Sequence, residues 1–200
     1  RKLGAQISDE LLISKEKVEL SASICKTDLT SGLVSEFPEL QGVMGGYFSA
    51  YQGFDKDISS ALTEQYLPVG INSKVPRKPF SVALSVTDKI DTIIGFFGIN
   101  EKPTSSKDPF ALRRTAIGII RIIIENEIDL KLGDLLKYSS NLYEDQGHKL
   151  INDNLQKELY NFLKDRFKYY LKEKQIRADI IEASIASFSL NKLFSSFEKA

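Results

Sequence analysis

Apolar residues along this chain recur at steps of three and four, the period of helices packed through one face. From Ser14 to Val34, the positions Val18, Ala22, Cys25, Leu29 and Leu33 keep that spacing and predict one amphipathic helix. Ser14 stands where a side-chain cap belongs, with Lys15 and Glu16 in the first turn. Phe37-Pro38-Glu39 ends the helix, because a residue before proline is pushed out of the helical region. Gln41 to Gln52 is rich in small residues, Gly42, Gly45, Gly46 and Ala50. Each helical glycine costs about 1 kcal/mol relative to alanine, and close approach of another backbone, or of a ligand, is the expected compensation, helix packing being the commoner reason.

Asp57 to Leu67 reads as a short helix stopped by Pro68, and Val69 to Pro79 as a loop. Phe80 to Phe97 is a mostly apolar helix interrupted by Asp88, Lys89 and Asp91. After a second polar loop, Asp108-Pro109 predicts a helix start, with aspartate as the cap and proline at the first helical position. That helix runs to about Asn126 and is apolar around most of its circumference, which makes it the expected centre of the fold. Leu130 to Tyr143, Leu150 to Lys174 and Ala178 to Ala200 complete an all-α reading. No strand-length run of period two and no internal repeat interrupts it.

Composition narrows the function classes. Hydrophobic residues at 42% provide for a sizeable core, which excludes wholesale disorder. Twenty-seven basic residues balance twenty-seven acidic ones, so any nucleic-acid contact must use a local basic patch. A single cysteine allows no internal disulfide and suits a reducing, cytoplasmic compartment. Cys25 and His148 are too few for a Cys/His metal site. The longest apolar stretch, Ile117 to Ile124, contains Arg121 and is too short to span a bilayer. Two hundred residues fit one large domain with an appendage, divided here as 1–145 and 146–200. The opening Arg1 and an amphipathic tail of Phe188, Leu190, Leu193, Phe194 and Phe197 suggest a piece of a longer polypeptide.

Two carboxylates sit within apolar helical stretches, Asp28 in Ile24-Cys25-Lys26-Thr27-Asp28-Leu29 and Asp88 in Thr87-Asp88-Lys89-Ile90. The arrangement resembles the HD domain, an all-helical phosphohydrolase fold whose His-Asp dipeptide and later Asp share a metal. Thr27 stands where the dipeptide's histidine belongs, and no histidine precedes it. The pattern is therefore degenerate at Thr27, Asp28 and Asp88; two carboxylates suit a hard cation such as Mg²⁺ only weakly. No metal site and no catalytic residue are expected. Cys25, on an apolar face without a nearby histidine, reads as a buried thiol and not a nucleophile. His148, beside Gly147, reads as an exposed loop residue. A living HD-type phosphohydrolase and a purely structural scaffold between domains are the competing readings.

The segment from Lys102 to Arg114 carries Lys102, Lys107, Arg113 and Arg114 around a helix start. Cations there oppose the helix dipole, whereas the free backbone N–H groups favour anions. A phosphate backbone would explain both; in the competing reading Arg113 pairs with an acidic neighbour and Arg114 covers the core with its stem. A second basic set, Lys164, Arg166, Lys168, Lys172, Lys174 and Arg177, is interleaved with Asp165 and Glu173 and reads as a solvated helix face.

Lys26-Thr27-Asp28-Leu29, Val34 through Gly45, Ala61 through Pro68, Ala83 through Phe97 and Lys107 through Arg114 together resemble the beta subunit of the bacterial tetrameric glycyl-tRNA synthetase. The resemblance covers about residues 20–125 firmly. It implies an HD-domain-like orthogonal helical bundle with additional C-terminal helices, followed by an extension toward an anticodon-binding domain. It also implies partnership with the alpha subunit and with tRNA(Gly). ATP and Mg would be used at the alpha subunit, and no cofactor would be bound by these residues.

Overall fold

The computed structural model describes residues 1–198, and among these every regular element is helical. The all-α class expected from the spacing is what forms. Two compact units divide the chain, Arg1–Asp88 and a second beginning at Lys89. The cut falls inside one helix.

In the first unit, α1 (Lys2–Leu11) packs on α2 (Lys15–Ile24), α2 on α5 (Lys56–Glu64), and α5 on α4 (Val43–Tyr51). Ser14 caps α2 as expected, its hydroxyl accepting from the Lys17 N–H at 3.3 Å. The helix nevertheless ends at Ile24. A 3₁₀ turn, η1 (Thr27–Thr30), and a short α3 (Gly32–Glu36) follow it, so the single helix predicted over 14–34 is three pieces. The cause is local: the Thr27 and Ser31 hydroxyls donate to the carbonyls of Ile24 and Asp28. Ser31 then accepts from the Val34 N–H to cap α3. Leu29 and Leu33 are in consequence exposed, not buried on a common face with Val18.

The small residues of α4 do allow close packing. A methyl group at Gly46 would come within 2.9 Å of the Ser59 carbonyl on α5. Gly42, at φ +80, begins the helix in a conformation that favours glycine. Ile58, Ala61, Leu62 and Leu84 form the core beside them, with Ala22, Ile24, Cys25, Phe54 and Phe80 packed around it. Leu84 comes from α6 (Pro79–Gly98), the helix that runs across the unit boundary.

In the second unit, α7 (Leu112–Glu125) is as deeply buried as its composition predicts, with Ile119, Ile120, Ile122 and Ile123 fully enclosed. It packs against α9 (Leu155–Glu173), which also receives α8 (Leu132–Asp145) and α10 (Ala178–Ala186). Arg121 is buried on α7, its guanidinium Nε donating to Glu125 one turn on at 2.7 Å. The helix expected over 178–200 is broken after Ala186. The chain re-forms as η3 (Leu190–Lys192) and α11 (Leu193–Glu198), which folds back on α7. That break lets Phe188 pack against Phe167 and Tyr160. The last two residues of the expected helix, Lys199 and Ala200, lie outside the described residues.

Candidate nucleic-acid interface

The start of α7 is built differently from the sequence expectation. Asp108 is not the residue flanking the helix, and Pro109 is not its first residue. Ala111, in the left-handed region at φ 54, occupies the flanking position, and the helix begins at Leu112. Asp108 reaches forward instead: its two carboxylate oxygens accept the N–H groups of Leu112 at 2.8 Å and Arg113 at 3.0 Å. The positive end of the helix is thereby filled by an anion of the chain itself.

The four basic residues divide into two kinds. Lys102 donates to both oxygens of Glu158 on α9, at 2.9 Å each. Hydrogen bonds from Lys102 and from Asn152 hold the Glu158 carboxyl below its usual pKa. Arg113 donates to the Thr104 carbonyl and lies 3.9 Å from Asp108, which ties the 104–107 turn to α7. Lys107 and Arg114 are exposed and make no ion pair among the described residues. Next to them in sequence, Phe110 stacks on Phe96 with ring centroids 4.0 Å apart, and about two-fifths of the residue (41%) stays open to solvent. Charge around a helix start singled out the cations and missed this ring, because an aromatic residue in a loop carries no charge or periodic signal.

The HD-like positions lie in the first unit. Thr27 is exposed. Asp28 is buried, with Oδ2 accepting the Gly42 N–H at 2.6 Å and Oδ1 enclosed without a hydrogen-bond partner. Asp88 pairs with the Lys26 ammonium at 2.7 Å. The same ammonium lies 3.1 Å from the Tyr66 hydroxyl and 3.3 Å from Gln65 Oε1, and 4.2 Å from the centre of the Tyr66 ring. Burial alone would lower the Lys26 pKa, but the Asp88 charge and the bonds to Asp88 and Tyr66 outweigh it and leave the pKa raised. Sequence reading found Asp88 and missed Lys26 as its partner, since the two are joined only by tertiary packing. No three His, Cys, Asp or Glu side chains come together to suit a metal ion among the described residues.

Burial raises the pKa of Cys25, whose thiol donates to the Ala22 carbonyl; such a thiol is a poor nucleophile. His148 is exposed in a turn. On α9, Lys168 pairs with Glu182, in keeping with a solvated face, and Arg177 just beyond it pairs with Asp179.

The sequence model of the family described as glycyl-tRNA synthetase beta subunit matches residues 1–186. The chain belongs to that family. Among its relatives, the glycine–tRNA ligase beta subunit of Rhodospirillum centenum is 42% identical over 84% of this chain and 23% of the relative. That of Colwellia psychrerythraea is 40% identical over 92% of this chain and 26% of its own length. The Rickettsia canadensis beta subunit is 45% identical over 76% of this chain and 22% of its own length. The chain thus spans about a quarter of the length of the beta subunits it matches. The segment with Lys107, Phe110 and Arg114 falls inside the matched region, as do Lys26, Asp28 and Asp88. No helix among the described residues is long and apolar enough to cross a membrane.

Proposed function

We propose that these residues form a non-catalytic, RNA-contacting part of a glycine–tRNA ligase beta subunit, on a degenerate HD-like bundle, in the cytoplasm. In this reading the part supports ATP-dependent attachment of glycine to tRNA(Gly), with ATP and Mg used by the alpha subunit. The observation that carries it is the division among the basic residues. Lys102 and Arg113 brace the 99–111 loop, while Lys107 and Arg114 are exposed and flank the partly exposed Phe110 in sequence. Contacts of lysine and arginine with phosphate position RNA without reading its sequence. Phe110 adds a face of the kind on which unpaired bases stack. The acids of the HD-like positions are turned to structure, Asp28 by the Gly42 amide and Asp88 by the Lys26 ammonium.

The test is a Lys107→Ala/Arg114→Ala double variant of the complete beta chain, assembled with its alpha subunit. Glycyl-adenylate formation stays at the wild-type rate while tRNA(Gly) binds about tenfold more weakly, two phosphate contacts being removed. Unchanged tRNA affinity removes the assignment of these two residues. Phosphodiester or nucleotide hydrolysis that is abolished by Asp88→Asn would instead establish a phosphohydrolase.

A further inference from the structure

The loop that leads into α6 carries charge of one sign. Lys74, Arg77 and Lys78 are exposed, while Val75 and Pro76 between them are buried and anchor the loop. The Lys78 ammonium donates to the Ser60 hydroxyl on α5 at 2.8 Å. Lys56, exposed at the start of α5, lies four residues before Ser60 and so on the same face of that helix, roughly 6 Å away along its axis. Lys74 is four residues from Lys78, a span of at most about 14 Å of extended chain. The loop's cations are thereby brought to the face of α5 that carries Lys56.

The carboxylates of these two elements are engaged elsewhere. Asp55 and Asp57 both accept from Lys17, at 3.0 and 3.1 Å. Glu64 has its Oε2 buried. The next acid along the chain, Asp88, pairs with Lys26. Lys56, Lys74 and Lys78 make no ion pair among the described residues. Cations ahead of a helix oppose its dipole, and the first turn of α6 holds no acid to offset them, so helix stability does not account for them. With Val75 and Pro76 buried, the loop offers charge without the apolar centre of a protein contact. A polar, positive surface of this kind suits a phosphate backbone. We infer that Lys56, Lys74 and Lys78 form a second phosphate-contacting surface for tRNA, on the first unit. The inference rests on the RNA reading of the chain but not on Lys107 or Arg114.

The test is Lys74→Ala/Lys78→Ala in the complete beta chain assembled with its alpha subunit, by itself and combined with Lys107→Ala/Arg114→Ala. Binding of tRNA(Gly) is measured over a series of salt concentrations. Loss of two phosphate contacts makes the slope of log affinity against log salt shallower by about 1.4–1.8 in either background. Lys74→Arg/Lys78→Arg keeps the charges and the wild-type slope. A slope unchanged by Lys74→Ala/Lys78→Ala, where Lys107→Ala/Arg114→Ala does change it, overturns this inference and leaves the other assignment standing. A slope changed by the first pair and not by the second upholds the inference and removes the assignment of Lys107 and Arg114. No change from either pair overturns both. Weaker assembly with the alpha subunit at an unchanged salt slope gives the loop to a protein contact and overturns the inference. Because both lysines are exposed, thermal midpoints match that of the unsubstituted chain, which separates a lost contact from misfolding.

Discussion

The Lys26 ammonium lies 2.7 Å from the Asp88 carboxylate and brings a positive charge of the chain's own to an acid that the HD-like pattern would give to a metal. The pair is partly open to solvent, with 41% of the Lys26 side chain and 21% of the Asp88 side chain exposed. Its contribution is therefore well below that of a fully buried pair.

Replacing Lys26 by methionine keeps the aliphatic stem and removes the charge. The expected loss is roughly 1–2 kcal/mol by urea unfolding, the value of a charge-assisted hydrogen bond reduced for exposure. The sign with pH follows from the raised lysine pKa. The contribution is fully present below the unfolded value of 10.5 and is lost as pH rises through the higher folded value. The stability difference between wild type and Lys26→Met should be constant from pH 6 to 9, on the order of those units, and shrink above them. A difference that grows with pH contradicts the pairing.

Tyr143 and Tyr170 make a second alkaline prediction. Burial first, then the nearby Asp91 and Glu125 charges respectively, push both phenols up to about 12. The unfolded chain releases these protons near the ordinary value of 10.0, so stability falls as pH rises from there toward the folded values. Phenylalanine at either position removes that site's share of the fall. Unfolding followed at stepped alkaline pH measures it.

Gly46→Ala and Gly32→Ala separate close packing from chain entropy. At Gly46 the new methyl meets the Ser59 carbonyl at 2.9 Å and the Thr63 side chain, and the overpacking costs roughly 1–3 kcal/mol. At Gly32, in the first turn of α3, nothing lies within 4 Å, and alanine stabilises by about 0.4–1 kcal/mol. Thermal unfolding of both variants checks the pair; equal effects would place α4 further from α5 than described.

Asp108→Ala leaves the Leu112 and Arg113 amides at the start of α7 without their acceptor. A loss of about 1 kcal/mol is expected, in the range of helix-cap deletions. Faster hydrogen exchange at those two amides is the specific readout, and unchanged exchange there excludes the capping role.

Much of the helical class was legible because amphipathic spacing and side-chain capping are local. Ser14 signalled the start of α2, and the isoleucines of α7 signalled its burial. The helix Lys2–Leu11 is not legible from its pattern, although Leu3 and Ile7 are buried, because Gly4 and short polar side chains dilute it. Ser31 and Thr27 decided the break after α2 through hydrogen bonds to the backbone, which apolar periodicity does not register. Asp108-Pro109 looked like a helix start, but the aspartate caps across a left-handed Ala111 that nothing in the sequence required. At the candidate site the cations were visible as letters, whereas their division was not. Glu158 comes to Lys102 from a distant helix, and only packing distinguishes a bracing lysine from an available one.

The most direct measurement is the salt dependence of tRNA(Gly) binding by the complete ligase, with and without Lys107→Ala/Arg114→Ala. Each phosphate contact contributes about 0.7–0.9 to the slope of log affinity against log salt. The double variant should bind with a slope shallower by about 1.5 and converge with wild type at high salt. Parallel lines of equal affinity would contradict the account.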